Sequence, residues 1–248
     1  LVLDAGGNLL WRGAGSSLGK GLNAVADLDS DGRPEVVVGP SVYNAAGTLL
    51  WERTDLPDGK VAVADLDADP QREIVLTGQI DNRSGAVFLL DSDGSTLWGP
   101  VVVSPRTAGP AVIGDVDDDG AAEIGVVTRD AFHLLNADGS LRWRYPINDP
   151  SGQTTGTFFD LDGDGVLEVI HADRLDLRIL DGLDGSERFR LANLSYTAYE
   201  SPVVADVDND DHAELVVVSQ NWDHSVRVLE NAADDWPDGE ASAFDQLD

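Results

Sequence analysis

Short apolar runs alternate with polar turns along almost the whole chain. In the segment "LNAVADLDSDGRPEVVVG", two small or β-branched apolar runs enclose a stretch with aspartate at every second position. Apolar runs of this length and composition, bounded by acidic or glycine-containing segments, predict β-strands joined by tight connections. The pattern therefore predicts an all-β protein.

The acidic connection occurs five times. After the copy above come "ADLDADPQREIVLTG", "GDVDDDGAAEIGVVT", "FDLDGDGVLEVIHA" and "ADVDNDDHAELVVVS". The first aspartates of the five copies are 38, 50, 45 and 46 residues apart, and they are Asp27, Asp65, Asp115, Asp160 and Asp206. Five copies at this period indicate an array of similar structural repeats.

A second pattern lies between the acidic connections and reads strand, Asx/Gly turn, strand, which predicts a β-hairpin. Each copy ends in an aromatic residue, at Trp11, Trp51, Trp98, Trp143 and Phe189, and a degenerate sixth copy ends at Trp236. We expect this repeated aromatic side chain to pack between neighbouring sheets. One repeat is thus strand, acidic loop, strand, variable loop, strand, glycine turn and strand.

Four antiparallel strands in a repeat of about 40 to 50 residues are typical of a β-propeller blade. A β-sandwich is the alternative, but its strands are usually spaced irregularly and share no repeated loop chemistry. We predict a β-propeller of four-stranded antiparallel blades, with five full repeats plus an N-terminal hairpin, compatible with about five to seven blades. The predicted boundaries are residues 1–236 for the propeller, 22–53, 61–103, 110–145, 154–190 and 201–236 for its repeats, and 237–248 for an acidic C-terminal tail. We expect the hairpin, residues 1–11, to close the ring beside residues 201–236.

The acidic loop has the composition of a calcium-binding loop, in which several oxygen ligands surround a hard cation. A helix–loop–helix site would need glutamate at the twelfth loop position, where the first copy has Val38. Glutamate comes instead at the ninth position, at Glu35. Crowded carboxylates repel one another unless a cation neutralises them, although solvated acidic turns are the alternative. The ligand count favours calcium over magnesium, because magnesium requires a stricter octahedral geometry.

The repeats resemble the FG-GAP or VCBS repeats found in the propeller head of integrin α chains and in many bacterial surface and secreted proteins. The resemblance rests on the D-x-D-x-D-G-x-x-E core and covers residues 1 to about 236. It implies a propeller with calcium in the first hairpin of several blades, about three to five ions in all. The hairpin that ends in tryptophan also resembles blades of quinone-dependent dehydrogenases, on a weaker motif.

The resemblance also implies the calcium ligands, which are the side chains at loop positions 1, 3, 5 and 9 and the backbone carbonyl at position 7. In loop order these residues are Asp27, Asp29, Asp31, Arg33 and Glu35; Asp65, Asp67, Asp69, Gln71 and Glu73; Asp115, Asp117, Asp119, Ala121 and Glu123; Asp160, Asp162, Asp164, Val166 and Glu168; and Asp206, Asp208, Asp210, His212 and Glu214. Three loops carry glycine at position 6, where a positive φ is expected. Pro70 replaces it in the second loop, which we rank weakest because proline fixes φ. Asp211 replaces it in the fifth loop, and aspartate tolerates positive φ better than most residues.

Amino-acid composition and net charge exclude some classes of binding partner. The 248-residue chain has 42% hydrophobic residues, no cysteine and a formal charge of −30. This charge argues against nucleic acid and anionic membranes, because phosphate groups would be repelled, and it favours cations. No apolar run approaches the roughly 18 residues that would predict membrane insertion, and no signal peptide is visible. The first residue, Leu1, leads us to expect a processed chain or part of a longer one.

The predicted loops on the face opposite the acidic loops are the longest and most varied, and such loops often carry function. We expect a protein or glycan ligand on that face. The candidate contact residues are Tyr145, Asn148, Tyr196, Tyr199, Asn221 and Trp222. Packing of these side chains beneath their own loops is the alternative.

No motif such as G-x-S-x-G or H-E-x-x-H indicates an enzyme. The sequence favours an extracellular or cell-surface calcium-binding propeller that serves as an adhesion or ligand-binding module. A calcium-dependent carbohydrate-active enzyme of the polysaccharide lyase kind, or the binding domain of one, is the alternative.

Overall fold

The computed structural model describes residues 1–15, 21–67, 69–81, 84–104, 107–195, 201–209, 212–219, 226–231 and 244–246. The chain divides into two compact units, Leu1–Ala111 and Val112–Asp248, and each is considered by itself. All regular secondary structure in the described residues is β-strand, which confirms the predicted all-β class. No helix in that part of the chain is long and apolar enough to cross a membrane.

The first compact unit contains a hairpin and two four-stranded antiparallel sheets. The hairpin pairs β1 (Val2–Leu3) with β2 (Leu9–Trp11). The first sheet contains β3 (Ala24–Ala26), β4 (Glu35–Val38), β5 (Ser41–Tyr43) and β6 (Leu49–Glu52). The second sheet contains β7 (Gly59–Ala64), β8 (Glu73–Ile80), β9 (Ser84–Leu90) and β10 (Thr96–Ser104).

Three further sheets follow, with the boundary between the compact units at the start of the third. The third sheet contains β11 (Ala111–Gly114), β12 (Glu123–Val127), β13 (Ala131–Leu135) and β14 (Leu141–Pro146). The fourth contains β15 (Thr157–Phe159), β16 (Glu168–Ala172), β17 (Asp176–Leu180) and β18 (Glu187–Ala192). The fifth contains β19 (Val203–Ala205), β20 (Glu214–Val218), β21 (Val226–Asn231) and β22 (Phe244–Gln246). Each sheet keeps the order of the sequence, so all five are simple meanders, as the repeat predicts.

The last strand of the fifth sheet differs from the prediction. The hairpin pattern places this strand at Trp236, which lies outside the described residues, and assigns 237–248 to a tail. In the structure β22 pairs with β21 through Leu229 and Gln246, so part of the predicted tail belongs to the sheet. The segment "ENAADDW" lacks the glycine that allows the tight turn elsewhere, and the strand therefore starts later. The prediction that residues 1–236 form one domain closed by the N-terminal hairpin stays a prediction.

The core lies between neighbouring sheets of the same compact unit. The second and third strands carry almost uninterrupted apolar runs and are buried, whereas the fourth strands keep exposed positions. One cluster joins the first and second sheets through residues such as Val42 and Ile74. A second joins the third and fourth sheets through Phe132 and Val169, and a third joins the fourth and fifth. Strands buried on both faces explain the continuous valine, isoleucine and leucine runs.

The repeated tryptophan joins successive hairpins through the same contact at Trp11, Trp51 and Trp143. The indole Nε1 donates a hydrogen bond to a turn carbonyl of the next hairpin, and the bonds are Trp11 to Ala45 O at 3.1 Å, Trp51 to Ser92 O at 2.9 Å and Trp143 to Gly182 O at 2.8 Å. The indole also lies against a glycine of that turn, where an added Cβ would be 2.5 to 2.8 Å from the ring. These glycines are Gly47, Gly94 and Gly185, and all have positive φ. The prediction that the aromatic residues pack between sheets is confirmed for these three.

A candidate metal centre repeated in five loops

The strand register closes each acidic loop. In four of the sheets, the residue just before the first aspartate pairs with the glutamate at position 9, and the pairs are Ala26 with Glu35, Ala64 with Glu73, Phe159 with Glu168 and Ala205 with Glu214. The glutamate is also the first residue of the second strand in all five sheets. The sheet thus holds both ends of the loop together and folds the intervening aspartates back toward the glutamate. The five loops are residues 27–35, 65–73, 115–123, 160–168 and 206–214, called the first to fifth loops below.

Three carboxylates converge in every loop. Those at positions 1, 3 and 9 each offer an oxygen within 4.8 Å of the other two. The triads are Asp27, Asp29 and Glu35; Asp65, Asp67 and Glu73; Asp115, Asp117 and Glu123; Asp160, Asp162 and Glu168; and Asp206, Asp208 and Glu214. Each triad is therefore a group of acidic side chains that could hold a metal ion.

Backbone hydrogen bonds to the first aspartate shape the loop. In the first loop, Asp27 accepts the N–H of Asp31 at 3.0 Å and of Gly32 at 2.9 Å. Equivalent bonds reach Asp115 and Asp160 in the third and fourth loops. The N–H of position 6 approaches the carboxylate because the backbone there has positive φ, which the glycine permits.

In four of the loops, the residue at position 4 also has a left-handed backbone conformation with positive φ, which the sequence pattern did not predict. It is Ser30 in the first loop with φ 61°, Asp118 in the third with φ 55°, Gly163 in the fourth with φ 75° and Asn209 in the fifth with φ 72°. The residue types Ser, Asp, Gly and Asn share only a tolerance of turns, so no single letter marks the position.

The second loop keeps its triad although Pro70 stands at position 6. Proline has no N–H, so Asp65 lacks the hydrogen bond that Asp27 receives from Gly32. Pro70 also accepts a 2.6 Å hydrogen bond from Ser30 Oγ through its carbonyl, which ties the second loop to the first. Proline thus removes one donor from the first aspartate without separating the three carboxylates.

In the first four loops, the carboxylate at position 5 is not part of the triad. Each accepts a hydrogen bond from the backbone N–H at position 7, and the pairs are Asp31 with Arg33, Asp69 with Gln71, Asp119 with Ala121 and Asp164 with Val166, at 2.7 to 2.8 Å. Asp210 lies outside the described residues. A ligand role for position 5, and for the position-7 carbonyls of these residues and of His212, stays a prediction.

The glutamate at position 9 is the buried member of each triad. Its Oε2 accepts the backbone N–H of position 2, and the donors are Leu28 at 3.0 Å, Leu66 at 2.6 Å, Val116 at 3.0 Å, Leu161 at 2.8 Å and Val207 at 2.7 Å. Burial raises the pKa of Glu35, Glu73 and Glu123 above the ordinary value, and it raises the pKa of Glu168 to about 7. A buried carboxylate of this kind needs a positive charge beside it to remain ionised at little cost.

The other glutamate oxygen, Oε1, is satisfied differently from loop to loop. In the second and fifth loops, Oε1 of Glu73 and of Glu214 is buried and has no hydrogen-bond partner among the described residues. In the third loop it lies 3.3 Å from Nη1 of Arg142, which also pairs with Asp117. In the fourth loop Arg188 pairs in the same way with Glu168 and Asp162. Sequence reasoning missed both arginines, although the residue before each hairpin aromatic was a visible signal.

Two of the predicted ligand-face residues take part in contacts within the protein. The hydroxyl of Tyr145 donates a hydrogen bond to Glu187 and accepts one from Arg190 at 3.0 Å. The backbone N–H of Asn148 donates to the buried carboxylate of Asp173 at 2.8 Å. The remaining candidates, Tyr196, Tyr199, Asn221 and Trp222, lie outside the described residues.

Comparisons with known proteins point to the fold. No family model and no curated protein sequence matches the chain. Among solved structures, the V. cholerae biofilm matrix protein Bap1 superposes with TM-score 0.70 at 18% identity over 86% of this chain and 63% of that one. A Bacillus licheniformis rhamnogalacturonan lyase superposes with a TM-score of 0.57 at 22% sequence identity, over 91% of this chain and 37% of the lyase. BamB from Moraxella catarrhalis superposes with a TM-score of 0.56 at 18% sequence identity, over 90% of this chain and 64% of BamB.

These three similarities are similarities of fold. All are below 25% identity, and the chain spans less than two thirds of the length of each of these proteins. The feature that bears on the chemistry of this chain is the triad of carboxylates that recurs in five of its loops.

Proposed function

We propose that this chain is a calcium-stabilised β-propeller of the FG-GAP or VCBS kind, and that it serves as an extracellular module that binds a protein or a glycan. In this proposal the five meander sheets are propeller blades, and the acidic loops bind Ca²⁺ on one face. The ligand binds on the opposite face. The biofilm matrix protein Bap1, whose fold this chain resembles, gives the adhesion role its support.

The geometry of the second loop is the main structural support for calcium binding. Its three carboxylates lie within 4.8 Å of one another, and Oε1 of Glu73 is buried among them without a partner in the part of the chain that the structure describes. Most buried polar groups have a partner, so this oxygen requires a donor or a cation that the described residues do not supply. Carboxylate oxygens are hard ligands that suit Ca²⁺, and a short irregular loop fits the flexible coordination of calcium better than the strict octahedron of Mg²⁺.

Calcium binding is tested by elemental analysis and by titration of chelator-treated protein with Ca²⁺ or Mg²⁺. We expect Asp67→Asn to lose one bound ion, and Asp93→Asn, in the β9–β10 turn, to lose none although it removes the same charge. Each ion bound only to the native state adds about 1.4 kcal/mol of stability at ten times its Kd, so excess chelator should lower the melting temperature. An unchanged melting curve in chelator, with no metal detected, would contradict the proposal.

Ligand binding is tested by screening glycans and matrix proteins with and without Ca²⁺. We expect binding that survives Asp67→Asn at saturating calcium, because the acidic loops are proposed to stabilise the fold and not to contact the ligand. Binding that disappears in this folded variant would place the ligand at the acidic loops instead.

The alternative is a polysaccharide lyase-like enzyme or part of one, and it is favoured by the fold similarity to rhamnogalacturonan lyase. Incubation with rhamnogalacturonan and other acidic polysaccharides decides between the two, because a lyase forms an unsaturated product that absorbs ultraviolet light. Turnover at a rate that scales with protein concentration would establish the enzyme and remove the case for a module that only binds.

A further inference from the structure

Two arginines distinguish the third and fourth loops from the others. Both lie on the fourth strand of their own sheet, and each comes directly before the hairpin aromatic, as Arg142 before Trp143 and Arg188 before Phe189. The guanidinium extends over the acidic loop and pairs with the carboxylates at positions 3 and 9. It thus contacts two of the three members of the triad.

The first and second sheets have leucine at the same place. Leu50 precedes Trp51 and Leu97 precedes Trp98, and both leucines are exposed. Leucine offers no donor and no charge, so no fourth-strand residue at this position can neutralise the triads of these two sheets. The difference is therefore encoded by one residue per repeat.

The presence or absence of this arginine changes the surroundings of Oε1 of the glutamate at position 9. Oε1 of Glu123 and of Glu168 is paired with an arginine, whereas Oε1 of Glu73 and of Glu214 is buried and has no partner in the described ranges of the chain. A guanidinium presents a planar set of donors that can satisfy two carboxylates at once and remains charged at any ordinary pH. A divalent cation in the third or fourth loop would have to bind the same oxygens and would lie beside a like charge.

We propose that the chain contains two classes of acidic loop. In the third and fourth loops, Arg142 and Arg188 replace the cation as internal counter-ions, so these loops keep their shape without metal. In the first, second and fifth loops a divalent cation supplies the charge. This inference rests on the proposed calcium binding, and it reverses the order expected from Pro70, because the second loop becomes a primary site.

Calcium stoichiometry tests the two classes. The full chain is stripped with chelator, and bound Ca²⁺ is counted by equilibrium dialysis for the wild type, Arg142→Leu, Arg188→Leu and the double variant. We expect about three ions in the wild type and one more for each arginine removed, because leucine gives the loop the composition of the first and second sheets. Circular dichroism and gel filtration in calcium confirm that each variant is folded.

The reciprocal variant Leu97→Arg gives an independent measurement. It places an arginine beside Trp98, at the exposed position that corresponds to Arg142, and it should remove one ion from the wild-type count. It also serves if the arginine variants fail to fold, because it leaves the third and fourth loops unchanged. Leu49→Arg, one residue before the corresponding position of the first sheet, is the matched control and should leave the count unchanged.

The outcomes separate this inference from the proposed function. Five ions in the wild type, with the same count after Arg142→Leu and Arg188→Leu, would overturn the two classes while leaving calcium binding intact. A lower count in the arginine variants, or an unchanged count in Leu97→Arg, would overturn them as well. No ion bound by any variant would instead defeat the calcium proposal itself.

Discussion

The contact between Trp143 and Gly185 can be tested by comparing two glycine-to-alanine substitutions. Both strain the backbone, but only one of them also overlaps the tryptophan ring. Gly185 and Gly120 lie in the same compact unit and have φ values of 74° and 87°. A Cβ added to Gly185 would lie 2.6 Å from the Trp143 ring, whereas a Cβ added to Gly120 would have no heavy atom of the described residues within 4 Å. Both substitutions strain the backbone, but only Gly185→Ala also forces a steric overlap.

The expected magnitudes follow from these two costs. An L-residue in the left-handed region costs about 1–2 kcal/mol, which is the whole effect expected for Gly120→Ala. Overpacking adds about 1–3 kcal/mol, so Gly185→Ala should lower the free energy of unfolding by about 2–5 kcal/mol. The indole cannot move away easily, because Trp143 is buried, stacks on Phe132 at a ring-centroid distance of 5.8 Å and donates to Gly182 O.

Urea unfolding in calcium, followed by circular dichroism, measures both free energies. Trp143→Leu, alone and combined with Gly185→Ala, completes a double-mutant cycle. Because leucine removes the ring, the combined loss should be smaller than the sum of the single losses by about 1 kcal/mol or more. Equal destabilisation by Gly185→Ala and Gly120→Ala, or strict additivity in the cycle, would show that the ring does not occupy the space above the turn.

Two basic groups, the buried His171 and the partly buried Lys60, give predictions about pH. Burial lowers the pKa of His171 from 6.5 to about 4, so between these values the unfolded chain binds a proton that the folded chain does not, and stability falls as the pH drops. His171→Leu should flatten this fall by at most about 1.4 kcal/mol per pH unit, measured by urea unfolding at pH 7 and pH 5, and equal slopes in variant and wild type would contradict the reasoning. Burial likewise lowers the pKa of Lys60 from 10.5 to about 8, so stability should rise as the pH increases from 8 toward 10.5. Lys60→Met should abolish this rise, and a rise that persists in thermal melts of the variant would show that another group causes it.

The sequence predicts the strands well where two signals coincide. An acidic loop fixes the first turn of each repeat and a glycine turn fixes the last, so the first four predicted repeats match the sheets to within about three residues, a common boundary error. The fifth sheet ends differently because the segment "ENAADDW", where the hairpin turn was predicted, has no glycine, and nothing in the sequence marks Phe244 as the start of β22. Loss of one turn residue is enough to hide a strand.

The candidate site was predicted in composition but not in its internal differences. Positions 1, 3 and 9 of the motif converge as a bound cation would require, whereas position 5 is engaged with the backbone. The counter-ion of the third loop comes from Arg142, 19 residues after Glu123, and only the folding of β14 back beside the loop brings the two together. Contacts across a whole sheet of this kind depend on side-chain direction, which a motif does not contain.

The tryptophan contact also gives the array a direction. The joints at Trp11, Trp51 and Trp143 each combine two different surfaces, an aromatic residue at the end of one hairpin and a glycine turn in the next. The repeats on either side of these joints therefore meet head to tail and not face to face. A repeat that carries both surfaces can be duplicated and will fit its own copy, whereas a symmetric joint would close after a single pairing. Such a joint lets a gene lengthen the array one repeat at a time, with the loop chemistry of each copy free to diverge.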